Sequence, residues 1–313
     1  MGVYDKGTYA QANKIWLEDV QSKNPEFLKR AQEAANDYVR IKLREDSFFD
    51  QIITPRSLTD SELDLQPNTD KPYKIVFKEP NSAAAVTLPF GTLPINQYIL
   101  GERVPVGFDR IITPRFTKDI DELRTYRDID IRQVLSDNAL KDLSAEKDGK
   151  FIQAVNTLLG ASGSTVAATG TIQYRTYSGG VSRQNVAESK KILTETPSRL
   201  RPATALVNQT TAIEFEKWER PEAGGDISQE ILQNGWAERN WFGVRFIVTI
   251  KRDLIPDNEI YWFAAEDYLG RNFILNDVVM DVDRRLFLLE YTAYMVIGGV
   301  IANVAGIARS KFV

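Results

Sequence analysis

The sequence predicts an α+β fold, with one long helix set against a body of alternating strands and helices and an uncharged ribbon projecting from it. Three observations carry that prediction. Apolar residues recur at spacings of three and four from Ile131 to Leu159, and Gly160 follows in the position of a helix C-cap. Short runs rich in Val, Ile, Thr and aromatic residues, separated by turn residues, fill positions 165–264. The stretch from Pro80 to Gly101 carries no charge, and its Pro80, Pro89 and Pro94 forbid a continuous helix.

A chain of 313 residues makes one large domain or two moderate ones and can bury about three quarters of its unfolded surface. It contains no histidine and no cysteine. The usual proton shuttle near neutral pH, the thiol nucleophile and the preferred ligands of zinc and copper are therefore missing, and stability must come from packing or from neighbouring subunits. Lys plus Arg is 39 against 43 for Asp plus Glu, a net charge of -4. That balance argues against a protein whose affinity rests on neutralising phosphates. The start, Met1-Gly2-Val3-Tyr4-Asp5-Lys6, has neither a secretory signal nor a myristoylation pattern, so cytoplasmic synthesis is expected.

In chain order, Tyr9 to Val20 and Pro25 to Arg44 have helical periodicity, the second with Asn24 as N-cap and Pro25 at the first turn. Residues 54–72, broken by Pro55, Pro67 and Pro72, read as a linker or an extended strap. The heptapeptide from Asp50 to Arg56 recurs from Asp109 to Arg115 with a change only at its second residue. It reads either as two equivalent strand ends or as a coincidence between two β-then-proline segments. Between the copies, Val86, Leu88 and Phe90 alternate, as do Leu93 and Ile95, so two strands are expected around a turn near Gly91. Proline places such a ribbon at an edge, and an uncharged edge left in water needs a cover. The cover is another subunit or the chain's own body.

The Ile131–Leu159 helix places Ile131, Val134, Leu135, Leu143, Phe151, Val155 and Leu158 on one side, with Asp and Lys elsewhere. Thr165 to Tyr177 reads as strand, Arg183 to Leu193 as helix, Ala203 to Val207 as strand and Ala212 to Glu219 as helix. Glu222 to Trp241 is turn-rich; Val244 to Ile250 and Glu259 to Ala264 read as buried strands, and Val278 to Ala293 as strand with its charges bunched at Asp281, Asp283, Arg284 and Arg285.

Candidate chemistry is thin. Ser144 and Lys147 stand at the spacing of a serine nucleophile and its lysine, but the companion motifs are absent. The pairs Asp281 with Asp283 and Glu214 with Glu216 suit a hard cation or, more simply, a solvated face. Tyr291 to Ala308 runs without a charge and is followed by Arg309 and Lys311, as a membrane tail anchor is. Its glycines and Asn303 equally suit a pair of buried strands or a core helix.

The order of elements, namely helical arm, uncharged hairpin, long helix ending in Gly, mixed body and final strand, resembles the major capsid protein of tailed bacteriophages, the Hong Kong 97-like fold. Residues carrying the resemblance are Arg201 to Asn208, Ile255 to Phe263, Tyr268-Leu269-Gly270, Asp281 to Thr292 and Met295 onward. The resemblance implies an N-terminal arm over 1–72, an extended loop over 73–127 and a peripheral domain with its spine helix over 128–200. An axial domain over 201–276, a peripheral return strand over 277–294 and a closing axial strand over 295–313 follow. It further implies pentamers and hexamers of this chain in an icosahedral shell around double-stranded DNA, held without sequence-specific binding. The expected partners are portal, scaffold or cement proteins, and the expected location is a virion capsid after synthesis in the host cytoplasm. The implied contacts between subunits are Val86, Leu88, Phe90, Leu93, Ile95, Tyr98 and Ile99 in the loop and Trp16, Phe27 and Tyr38 in the arm. No catalytic residue, cofactor, metal or membrane association is expected. The alternatives are an encapsulin-type nanocompartment shell, a membrane protein anchored through residues 291–308, and a hydrolase working with Ser or carboxylates.

Overall fold

A computed structural model describes residues 14–15, 26, 47–65, 70–78, 87–91, 101–123, 131–216, 218, 240–241 and 243–313. A one-turn helix α1 (Phe48–Ile52) leads into strand β1 (Pro55–Ser57), and the ribbon strands β2 (Tyr73–Lys78) and β3 (Glu102–Gly107) follow. Next come β4 (Asp109–Ile112), β5 (Phe116–Asp119), the short α2 (Ile120–Leu123) and the long α3 (Ile131–Leu159). Beyond it lie β6 (Thr165–Val166), β7 (Thr171–Ile172), β8 (Tyr174–Tyr177), α4 (Arg183–Lys190), β9 (Pro202–Asn208) and α5 (Gln209–Glu216). The chain finishes with β10 (Asn240–Trp241), β11 (Val244–Thr249), β12 (Glu259–Ala264), α6 (Glu266–Leu269), β13 (Gly270–Arg285), β14 (Leu288–Ile301) and β15 (Ile307–Phe312). The expected α+β class holds.

Two sheets organise this chain. The first runs β1-β13-β14-β4, with β5 also on β14; the second runs β10-β11-β9-β12-β15-β8. Helix α3 bridges them. At about 1.5 Å per residue its 29 residues make a rod of about 43 Å. Ala139, Leu140 and Leu143 pack with Ile111, Met280, Val282, Leu289 and Tyr291 of the first sheet. Phe151, Ile152, Val155 and Leu159 pack with α1 and with Leu206, Tyr261, Phe263 and Ile307 of the second. The expected bounds of α3 match those observed. Gly160 ends it in the left-handed region at φ 68°, where lack of a Cβ removes the strain. Leu158, expected on the buried side, is 37% exposed while Leu159 is buried, because the apolar stripe rotates as the helix passes from one sheet to the other.

Strand β12 is buried along its whole length. Tyr261 and Phe263 face α3, whereas Ile260 and Trp262 face a second layer with Val186, Leu193, Phe215 and Phe246. A strand covered on both faces has apolar residues at every step, which is why it reads as a continuous run rather than an alternation. Arg309 of β15 is stacked between Tyr174 and Tyr261, with Cζ 4.4 and 5.1 Å from the ring centroids, and pairs with Glu259 at 2.6 Å. Burial pushes the Tyr261 phenol far above its ordinary range, an effect that the adjacent Arg309 charge opposes.

Several expectations need correction. Val278 to Ala293 is not one strand: β13 and β14 form a long antiparallel hairpin whose pairs run from Gly270↔Ile301 to Arg285↔Leu288. Its turn is Leu286-Phe287, with Leu286 at φ 53°. None of the usual turn residues marks it, so the local pattern reads straight through. The expected return strand from Asp281 to Thr292 is split by the same turn. Thr165 to Tyr177 is three short strands, interrupted by a turn that ends at Gly170 with φ 68°. The segment that offered a tail anchor as an alternative is the pair of strands also weighed for it, Tyr291 to Ile301 in β14 and Ile307 onward in β15. Among the described residues no helix is long and apolar enough to cross a membrane. The strap reading of residues 54–72 is supported at its start, where β1 lies parallel to β13 along the sheet edge and Leu58 is buried. The two heptapeptide copies are not equivalent. The first passes from helix into β1 beside β13, and the second forms β4 beside β14, so they flank one hairpin on opposite edges.

Two of the charges on α3 are fully buried. Lys147 Nζ lies 2.5 and 2.7 Å from the Asp50 carboxylate oxygens. Asp148 accepts from Ser47 Oγ at 2.8 Å and from the backbone N–H groups of Phe48 and Phe49 at 3.4 and 3.1 Å, and it pairs with Lys251 at 2.7 Å. It thereby caps the N-terminus of α1 from a helix far away in the chain.

Asp148→Ala is expected to destabilise the chain by about 2–4 kcal/mol, since it removes a fully buried carboxylate from Ser47, the first N–H groups of α1 and the partly exposed Lys251; urea unfolding measures it. At Gly270 a Cβ would fall on the carbonyl oxygen of Val300 in the facing strand. The backbone is extended there, so the constraint is close approach, and Gly270→Ala is expected to cost about 1–3 kcal/mol by the same measurement.

Candidate assembly surface

The ribbon is anchored by apolar packing at its root. Strands β2 and β3 pair from Tyr73↔Gly107 to Lys78↔Glu102. On the inward face Val106 is buried with Leu58 and Phe273, and Val76, Phe108 and Val300 pack against them. One edge of β2 is stapled by the strap, with Ile75 N donating to Asp64 Oδ2 at 2.7 Å, Tyr73 Oη to the Leu65 carbonyl at 2.6 Å, and Lys74 Nζ to the Glu62 carbonyl. The ion pairs Lys78–Glu102 and Lys74–Asp64 are exposed to water and add little; exposed pairs contribute roughly 0–1 kcal/mol. Further out the ribbon loses its support. Phe77 is 69% exposed, with the Arg103 guanidinium over its ring at 5.4 Å.

Residues 87–91 are the described part of the uncharged hairpin. The expected turn is there, at Phe90-Gly91 with Gly91 at φ 86°, and Phe90 is fully exposed while Leu88 is 39% exposed. The other expected loop contacts, Val86, Leu93, Ile95, Tyr98 and Ile99, lie outside the described residues, as do the arm contacts Trp16, Phe27 and Tyr38. Lys14, Ile15 and Glu26 of the expected arm helices are described and helical.

A second exposed apolar site escaped the sequence reading. The tip of the β13–β14 hairpin presents Leu286, Phe287 and Leu288 at 79, 69 and 43% exposure. Two hydrogen bonds hold it, one from the backbone and one from a side chain: the Phe287 carbonyl accepts from Ile120 N at 3.0 Å and the Leu286 carbonyl from Arg284 Nε at 3.0 Å. Once Val278 to Ala293 is taken as one strand, these residues look like a buried run. The bunched charges just before them were the available sign of an exposed turn.

The catalytic candidates are not assembled. Ser144 Oγ accepts from Lys251 Nζ at 2.9 Å, whereas Lys147 turns to Asp50, so the serine and the lysine of the motif face different partners. Among the described residues no group of carboxylates gathers to hold a metal ion.

No family model matches this sequence, and no curated protein matches it. Solved structures do. The capsid of the native GTA particle is similar at TM-score 0.55 and 14% identity, over 84% of this chain and 89% of that one. A Microbacterium phage Oxtober96 structure is similar at TM-score 0.57 and 11% identity, over 86% and 92%. A virus-like particle from Pyrococcus furiosus is similar at TM-score 0.53 and 12% identity, over 89% and 98%. At such identities the likeness is one of fold: the chain has the α+β architecture of Hong Kong 97-like capsid subunits.

Phe287→Ser and Phe90→Ser are each expected to leave unfolding within about 0.5 kcal/mol of the parent, since neither ring is packed inside the subunit; chemical unfolding of dissociated subunits checks this.

Proposed function

We propose that this chain is the major capsid protein of a tailed phage, assembling as pentamers and hexamers into an icosahedral shell around double-stranded DNA. One observation carries the reading. The shared fold covers more than four fifths both of this chain and of subunits solved as capsids, so the likeness includes the whole body rather than one module. The exposed ribbon supports it, because a neighbouring subunit supplies the cover that the isolated chain lacks. In this reading Leu88 and Phe90, with Val86, Leu93, Ile95, Tyr98 and Ile99, lie across an adjacent subunit, and Trp16, Phe27 and Tyr38 of the arm make a second contact. The domain limits are those of the sequence reading, with α3 as the spine, the outer part of the β13–β14 hairpin in the peripheral domain and its base in the axial domain. Portal, scaffold or cement proteins are the further partners, the virion is the location, and the role is structural rather than catalytic. Near-balanced charge suits a wall that packed DNA touches without being gripped.

A second reading, an encapsulin-type shell around protein cargo, takes its support from the likeness to a virus-like particle rather than a phage. Both readings give a shell and differ in its contents.

Negative-stain electron microscopy of detergent-free protein is expected to show closed particles tens of nanometres across, with size exclusion placing the protein at the void volume. Enclosed nucleic acid favours the phage reading and enclosed enzyme the second. A chain that stays monomeric with every expected partner supplied contradicts both. Deleting Ser82 to Leu100 is expected to leave a soluble, folded subunit that no longer closes stable shells. Normal shells of equal heat resistance remove the ribbon from its role.

A further inference from the structure

We draw no further inference here: the strongest candidate, the exposed apolar patch of Leu286, Phe287 and Leu288 at the tip of the β13–β14 hairpin, carries nothing because nothing in the structure shows what covers it.

Discussion

The structure depends on charge placed where water is excluded. Lys147 and Asp148 are neighbours on α3, yet they turn to opposite tasks: one holds Asp50, and the other holds Ser47, the first amides of α1 and Lys251. Through these contacts α3 holds α1 and the loop before β12 at once. A buried pair of this kind adds little against an apolar replacement of the same shape, but removing one partner is severe, so its effect is to enforce a single arrangement. The apolar core alone would tolerate several rotations of a long helix on a sheet.

Around that junction the two sheets serve different ends. The second sheet is covered on both faces, by α3 on one side and by α4 and α5 on the other, and its β12 has no exposed residue. It is a stable block. The first sheet gives α3 one face and sends out the ribbon from one edge and the β13–β14 tip from its end. Those projections carry exposed apolar side chains, Phe77 and Phe90 on the ribbon, Leu286 and Phe287 at the tip.

Much of the body was legible in the sequence because its signals are local. The bounds of α3, its Gly160 terminus and the limits of β12 follow from periodicity, a glycine's freedom at positive φ and a run of apolar residues within a few positions. The turn at Gly91 was legible for the same reason. The exposed Leu286-Phe287-Leu288 was not, because apolar residues at a turn in the left-handed region contradict ordinary turn chemistry and only pairing with a returning strand reveals them.

By itself, then, the sequence determined the bounds of α3, the run of β12 that is buried on two sides and the turn at Gly91. Tertiary structure alone decided which strands are neighbours, that the two heptapeptide copies flank one hairpin, and that Lys147 faces Asp50 rather than solvent. The reason is physical. Backbone propensity and apolar period act between residues a few positions apart, whereas strand order and the pairing of a buried charge join residues tens to hundreds of positions apart, whose meeting no local pattern encodes.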